Sequence, residues 1–299
     1  ICDLEDKIQK FVPEKYWDVK GLFDRKWLWP LYKIDGKKVD KIKDYEIVKR
    51  VQSLQKQKFH VLEAKISKKS KKPPLPLKTS TLQQLASSYL GFSASRTMSL
   101  AQKLYEGIDI NGSHKGLITY MRTDSTRISE EAKEMAKSYV IETFGKEYVS
   151  DVKAKKESKQ KIQDAHEAIR PTDVYLTPEI LEKVLDKDQA KLYKLIWERF
   201  LISELASMKY EQFEIVCAQE EVQFRGSMNK ILFDGYYKIF KEEEELNLAD
   251  FPKIEAGDLL ELSKLEMKED MTKPPARLTE SSLVKMLETE GIGRPSTYA

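Results

Sequence analysis

The sequence predicts an α+β protein in which a mainly helical domain is inserted into a β-rich domain. Three observations support this class. Apolar residues recur at helical spacing from 79 to about 205, alternating apolar residues on either side are typical of strands, and a last helical pattern follows Thr279. A chain of 299 residues, of which 40% are hydrophobic, is long enough for about two domains with their own cores.

The N-terminal part predicts strands and then a helix. The stretch to about Tyr32 is rich in aromatic residues, which favour strands. Asp35-Gly36, between two short apolar segments, is typical of a β-hairpin turn. Residues 44–57 then place four apolar side chains at helical spacing, which predicts a helix.

The next stretch predicts a strand and a linker. His60, Leu62, Ala64 and Ile66 alternate as one face of a strand should. The lysines and prolines of residues 67–78 indicate an extended basic linker, and a domain boundary is expected near Thr79. These lysines could contact phosphates or could simply be solvated.

The central part predicts mostly helices. Residues 79–90 and 95–106 are separated by a turn at 91–94, which is a helix-turn-helix pattern, and Gly107 would end the second helix. Residues 116–121 predict a short strand. A helix is then expected from an N-cap at Ser129, with two glutamates in its first turn, to about residue 145.

The remainder predicts a helical pair followed by strands. Lysine-rich residues 153–161 lead to Pro171, which blocks continuation of a helix. Thr177 starts the next helix, and residues 188–205 form its apolar partner. Beyond 206 apolar and polar residues alternate, which predicts strands. The alternating apolar residues are Phe213, Ile215 and Cys217, then Val222 and Phe224, and later Leu260 and Leu262.

Composition excludes several classes of protein. The chain has 52 Lys and Arg against 49 Asp and Glu, so its net charge of +3 excludes a polycation that binds by bulk charge alone. No apolar run is long enough for a membrane span, and the mean hydropathy is -0.55. Cys2 and Cys217 are too few for a disulfide framework or a four-cysteine zinc site, and they favour a reducing compartment.

Tyr120 is a candidate nucleophile. If residues 116–121 form a strand, Tyr120 shares a face with Arg122 and Asp124. A guanidinium near a phenol favours the phenolate and can hold a phosphate, which suits attack on phosphorus. The alternative is that Tyr120, one of 14 tyrosines, is simply a packed amphipathic side chain.

Two further stretches could bind phosphate. His166 lies between the lysine-rich stretch and Arg170, although a lone histidine is more often structural, and no second His or Cys lies at metal-ligand spacing. Residues 291–297 offer glycines with Arg294, Ser296 and Thr297, which could cradle a phosphate or form a plain helix end and turn. Their spacing is neither a dinucleotide-binding nor a P-loop pattern.

Six motifs in order resemble the type IA DNA topoisomerases, and within that family the bacterial topoisomerase I group most closely. They are STLQQ (80–84), RTM with a following AQ (96–102), GLITYMRTDS (116–125), AHEAIRP (165–171), LIWERF (195–200) and GIGRPSTY (291–298). The likeness extends from about residue 11 to the last residue, and it is weaker in the predicted strands.

The resemblance implies roles for site residues. Tyr120 would form a 5′-phosphotyrosyl bond with one DNA strand, and Arg122 would hold the scissile phosphate. The residues expected to contact DNA are His166, Arg170, Arg294, Ser296, Thr297, Arg96 and Asp124. The other strand would pass through the break before it is resealed, and no ATP would be needed.

The resemblance also implies a domain plan. Residues 1–14 would end a base-domain segment, 15–78 and 206–275 would be the two halves of a β-rich arch, 79–205 would be a helical, CAP-like tyrosine-bearing domain, and 276–299 would return to the base domain. The family binds Mg²⁺ through an Asp-x-Asp-x-Glu signature in a Toprim domain. Only Asp186 and Asp188 have the first spacing, with Ala190 in place of Glu. We expect a fragment that lacks the Toprim domain and itself binds no metal.

These expectations define partners and alternatives. The partners would be single-stranded and negatively supercoiled DNA, with no membrane, and the protein would be a cytoplasmic, nucleoid-associated monomer. The fragment alone would be inactive, and could act as a non-catalytic single-strand-binding module. Topoisomerase III or a reverse gyrase remains an alternative parent.

Overall fold

The computed structural model describes residues 2–110, 112–150, 166–240, 250–294 and 297. Its helices are α1 (Cys2–Gln9), α2 (Tyr45–Ser53), α3 (Thr79–Leu85), α4 (Ala94–Glu106), α5 (Glu130–Thr143), α6 (Pro178–Leu181), α7 (Lys187–Glu204) and α8 (Glu280–Thr289). Its strands are β1 (Lys15–Phe23), β2 (Trp27–Ile34), β3 (Lys37–Lys38), β4 (Lys58–Lys71), β5 (Ile108–Ile110), β6 (Ser113–Lys115), β7 (Met208–Gln219), β8 (Val222–Phe233) and β9 (Leu259–Met271). The predicted α+β class is confirmed.

The chain divides into two compact units. The sheet unit consists of Ile1–Lys69, Lys209–Leu232 and Glu243–Arg277. The helical unit consists of Ser70–Met208, Phe233–Glu242 and Leu278–Ala299. The lysine-rich stretch 153–161 and Ser296, both singled out in the sequence, lie outside the described residues.

The sheet unit is built on seven strands in the order β1-β9-β4-β7-β8-β2-β3. Because β1 pairs with β2 as well as with β9, the sheet closes on itself. Its interior is aromatic: the Phe23 ring meets Phe224 and Phe59 edge-on at 5.3 and 5.4 Å and stacks on Trp29 at 5.1 Å. Fully burying each such ring stabilises the fold by about 2 kcal/mol.

Local signals in the sheet unit are confirmed. Asp35 and Gly36 both have positive φ (49° and 75°), as a two-residue hairpin turn between β2 and β3 requires. The Asp44 side chain accepts a hydrogen bond from the Glu46 amide and so caps α2. The predicted apolar face of β7 is buried at Phe213, Ile215 and Cys217. Helix α1 was not assigned from the sequence.

Two predictions for β4 are wrong. The strand exists, but it buries Phe59 and Val61, whereas Leu62 and Ile66 are more than half exposed and His60 is exposed too. The predicted linker from residue 67 begins later, because β4 continues to Lys71 beside β7. Lysines are compatible with a strand when their side chains project to solvent. The buried face of β4 was predicted wrongly for a separate reason. A one-residue shift of register exchanges the two faces of a strand, and apolar residues occur on both faces of β4, so its sequence does not determine which face is buried.

The helical unit shows the predicted helices, and side chains cap several of them. Ser129 accepts a hydrogen bond from the Ala132 amide at the start of α5, and Asp186 caps α7. Helix α3 continues into a π-helical turn (Ala86–Leu90) that ends at Gly91, where φ is +67°. Helix α7 buries one face in the core and fixes Trp197, whose indole Nε1 donates to the Val174 carbonyl at 2.8 Å. No helix within the described ranges is long and apolar enough to span a membrane.

Candidate active site

The segment that carries Tyr120 differs from its prediction. Strands β5 and β6 form a hairpin just before it, and residues 116–121 form no strand but an extended segment with a single bridge, from Ile118 to Pro171. The alternation inferred from the strand holds only from Met121 to Asp124. Met121 and Thr123 are buried, Tyr120 is half-buried, and Arg122 and Asp124 are exposed. Without a sheet partner, the segment must be held by other contacts.

On one side, the buried start of α3 holds this segment. The Thr79 hydroxyl donates to the Met121 carbonyl oxygen at 2.7 Å and accepts from the Thr123 amide at 2.9 Å. The Thr79 amide donates to the Thr123 carbonyl oxygen at 2.9 Å. Thr79 and Thr123 are both fully buried, so these bonds are shielded from water.

On the other side, the segment is held by residues 168–170. The Thr119 hydroxyl donates to the Ala168 carbonyl oxygen at 2.7 Å and accepts from the Arg170 amide at 3.0 Å. The Thr119 amide donates to the Arg170 carbonyl oxygen at 2.9 Å. Tyr120 therefore lies between two anchor points, which restricts the backbone that carries its phenol.

Two aromatic rings flank the Tyr120 ring. The Tyr105 ring meets it edge-on with centroids 5.4 Å apart, and the His166 ring lies tilted at 4.9 Å. Gly116 permits this approach, because a Cβ there would lie 2.7 Å from the Tyr105 carbonyl oxygen. The structure thus brings His166 directly to Tyr120, although 46 positions separate them in the chain.

Arg170 is fixed within the protein. Its Nε donates to Glu167 at 2.8 Å, and one terminal nitrogen donates to the Pro171 carbonyl oxygen at 2.9 Å. Burial alone would raise the pKa of Glu167, but the hydrogen bond and charge of Arg170, with bonds from Ser129, lower it overall. This pair orders residues 167–170, which follow His166 and bond to Thr119.

The other predicted DNA contacts lie elsewhere in the helical unit. Arg96, on α4, pairs with Asp188 and lies over the Phe92 ring at 5.4 Å. Arg294 and Thr297 are exposed and bond to each other, since the Arg294 amide donates to the Thr297 hydroxyl at 2.9 Å.

Sequence reasoning missed Thr79 and Tyr105 as parts of the site. Thr79 is the first residue of a predicted helix, and nothing in its neighbours indicates a partner 42 to 44 positions away. Only its place next to the STLQQ motif could have drawn attention to it. Tyr105 also precedes the motif that carries Tyr120, separated from it by the β5–β6 hairpin.

The part of the chain that the structure describes contains no group of three His, Cys, Asp or Glu side chains placed to hold a metal ion. The described residues therefore do not fit the Mg²⁺ site that the family resemblance implies.

Comparisons with known proteins show the family of the chain. A family model described as DNA topoisomerase matches residues 1–299. DNA topoisomerase 1 of Thermotoga maritima is 47% identical over the whole chain and that of Helicobacter pylori (strain J99) is 42% identical, and the chain covers 46% and 41% of them. The full-length topoisomerase I structure from Thermotoga maritima superimposes with a TM-score of 0.84 at 45% identity, over all of this chain and 48% of that one. The chain spans a little under half the length of these relatives, and it belongs to the bacterial DNA topoisomerase family.

Proposed function

We propose that this chain carries the nucleophile of a type IA DNA topoisomerase, which relaxes negatively supercoiled DNA through a transient break in one strand. The observation that supports this most directly is Tyr120 itself. It is half-buried, anchored at Thr119 and through Thr79, and in contact with His166. The two hydrogen-bonded anchors hold the backbone on both sides of Tyr120, and the neighbouring Arg122 side chain is exposed.

The reaction we propose is a reversible transesterification. The Tyr120 oxygen attacks the phosphorus of one strand and loses its proton, a P–O bond to tyrosine forms, and the bond to the 3′ oxygen breaks. The departing oxygen takes up a proton and becomes a 3′-hydroxyl, while the 5′ phosphate stays on Tyr120. After the other strand passes, the hydroxyl attacks the phosphotyrosine and restores the DNA. Because the ester conserves the bond energy, no ATP is required.

Neighbouring side chains would bind the DNA. Arg122 would offer a bidentate guanidinium to the scissile phosphate. His166, whose ring lies against that of Tyr120, would donate to a neighbouring phosphate oxygen. Asp124, Arg96, Arg170, Arg294, Ser296 and Thr297 are the further DNA contacts proposed from the resemblance. Since the guanidinium of Arg170 bonds to Glu167 and Pro171, we propose that it acts mainly by ordering this segment.

The wider assignment also rests on the resemblance. We propose that the helical unit is the tyrosine-bearing domain, that the closed sheet is the arch, and that Mg²⁺ is held by acidic ligands of a Toprim domain rather than by the described residues. The protein would act as a cytoplasmic, nucleoid-associated monomer. The names of the relatives favour topoisomerase I over topoisomerase III or a reverse gyrase.

Formation of a covalent adduct tests the role of Tyr120. In the full-length protein with Mg²⁺, Tyr120→Phe should abolish the adduct with an end-labelled single strand, detected on a denaturing gel. Tyr45→Phe is the matched control, because it removes the hydroxyl of an exposed tyrosine in the sheet unit and should keep the adduct. An adduct at the unmodified level in Tyr120→Phe would refute the assignment.

A second experiment tests whether this chain alone is a binding module. The 299-residue chain should bind a single-stranded oligonucleotide without forming an adduct. Relaxation of a supercoiled plasmid by the chain alone would contradict that proposal and leave the role of Tyr120 intact.

A further inference from the structure

One arginine of the helical unit stands apart from the site. Arg199, in the LIWERF stretch of α7, is half-buried, and its Nε donates to the Leu75 carbonyl oxygen at 2.7 Å. Burial lowers the pKa of Arg199, and the nearby Tyr89 phenol only partly opposes this. A guanidinium withdrawn from water in this way costs free energy unless an anion compensates it.

No carboxylate supplies that compensation among the described residues. The ion pairs of α7 join Asp188 to Arg96 and Glu198 to Lys194, the latter at 3.8 Å. Arg199 takes part in neither. The bond to Leu75 uses Nε alone, so both terminal nitrogens keep their protons for a further acceptor. Such a paired set of donors matches two oxygens of one phosphate.

An exposed aromatic ring belongs to the turn that packs against α7, the helix that carries Arg199. Tyr89 is 74% exposed, and it lies in the π-helical turn at the end of α3. Such turns are rare and occur frequently at functional sites. An exposed ring beside a cation is the combination on which single-stranded nucleic acids bind, since the ring stacks on a base and the cation meets the phosphate.

One backbone segment, residues 75–79, connects Arg199 to the Tyr120 site. Residues 75–79 bond to Arg199 through Leu75, to Ile169 through Leu77 and to Thr123 through Thr79. Four residues of extended chain span at most about 14 Å. That distance corresponds to about four nucleotides at the 3.4 Å rise of one stacked strand.

We propose that Arg199 and Tyr89 form a subsite for single-stranded DNA, in which Arg199 holds a phosphate and Tyr89 stacks on the adjacent base, a few nucleotides from the scissile bond. This subsite rests on the proposed function, because it presupposes that a single strand crosses the helical unit to Tyr120. It would position the strand without taking part in the chemistry.

Binding of a fluorescein-labelled oligothymidylate to the 299-residue chain, followed by anisotropy over a range of salt concentrations, tests the subsite. Tyr89→Ala should weaken binding about 5- to 100-fold, whereas Tyr89→Phe, which keeps the ring, should bind like the unmodified chain. Arg199→Gln should reduce the slope of log K against log salt by about 0.7. Arg199→Lys should keep that slope but bind more weakly, because the bidentate geometry is lost.

Matched controls lie in the sheet unit. Tyr45→Ala removes another exposed tyrosine, 47% accessible, and Arg50→Gln removes an arginine that already pairs with Asp35 at 2.9 Å. If Arg199→Gln lowers thermal stability, the binding measured for Tyr89→Ala decides whether the subsite exists. The Tyr89 ring is so exposed that its removal should change the stability of the fold very little.

The outcomes separate this inference from the proposed function. If the unmodified chain binds DNA and the Tyr89 and Arg199 variants match the controls, the subsite is refuted and the proposed function is unaffected. If the unmodified chain does not bind at any salt concentration, both the subsite and the DNA-binding role of this chain are overturned. The nucleophilic role of Tyr120 is judged separately, by the covalent adduct.

Discussion

Replacing Thr79 with valine tests the anchoring of the active-site segment. Valine has nearly the same shape, so the change removes a hydroxyl and leaves no cavity. That hydroxyl donates to the Met121 carbonyl at 2.7 Å and accepts from the Thr123 amide at 2.9 Å, in a site with no solvent exposure at Thr79. Each bond is worth about 1 kcal/mol, and each buried group left unpaired costs about 1–3 kcal/mol. We therefore expect a loss of about 2–4 kcal/mol.

Urea unfolding measures this loss as a lower midpoint with an unchanged slope. Thr289→Val is the matched control, because the Thr289 hydroxyl is exposed and bonds only to the Lys285 carbonyl of its own helix, at 2.8 Å. It should change stability by less than about 0.5 kcal/mol. Equal midpoints for the two variants would refute the anchoring role of Thr79.

The same variant should impair strand cleavage. Loosening residues 121–123 displaces the Tyr120 phenol, and a misplacement of about 1 Å can cost about 100-fold in rate. In the full-length protein, Thr79→Val should form the covalent adduct at least about tenfold more slowly under conditions where it is folded. An unchanged rate in a destabilised but folded variant would show that Thr79 supports the fold without positioning the nucleophile.

Three further predictions concern packing and charge. Gly226→Ala should destabilise the sheet unit by about 1–3 kcal/mol in urea unfolding, because its Cβ would lie 2.3 Å from the buried Trp29 indole nitrogen; stability equal to that of Ser227→Ala would contradict this. The pKa of Glu167 is lowered in the folded state, so its pairing with Arg170 stabilises above the ordinary carboxyl pKa, and this stability is lost as pH falls through the folded pKa. Glu167→Gln should therefore lower the melting temperature at neutral pH, and the difference from the unmodified chain should disappear in acid. Burial raises the pKa of Glu204, so the folded state disfavours its charge above the ordinary carboxyl pKa; Glu204→Gln should stabilise the chain at neutral pH and not in acid, and a destabilised variant at pH 7 would refute that reasoning.

Features set by neighbouring residues could be predicted from the sequence. The helices at Asp44 and Ser129 start where expected, because a cap is a bond between a side chain and an amide two or three residues later. The Asp35-Gly36 turn could be predicted because an Asp-Gly pair accepts the positive φ that such a turn requires at two adjacent positions. For the site, residue patterns marked Tyr120 as one candidate among alternatives, and the ordered motifs gave it a role.

Features set by distant contacts could not be predicted in this way. The buried face of β4 depends on which strands pair with it. The Tyr120 segment alternates like a strand but has no ladder, because its backbone groups bond to Thr79 and to Arg170 instead. The segment forms a single bridge, at Ile118. The sequence cannot distinguish such a segment from a strand in a sheet, because both show the same alternation of residues.

The sequence by itself determined the α+β class, most of the longer helices and the candidate nucleophile, because periodicity and capping act over a few residues. Only the tertiary structure decided that His166 and Tyr105 flank Tyr120, that the buried Thr79 holds its segment, and that Arg170 bonds inward. The contacts with His166 and Thr79 join residues more than 40 positions apart. The bonds of Thr79 form because folding buries these backbone groups, and buried donors and acceptors must find partners wherever the chain brings them.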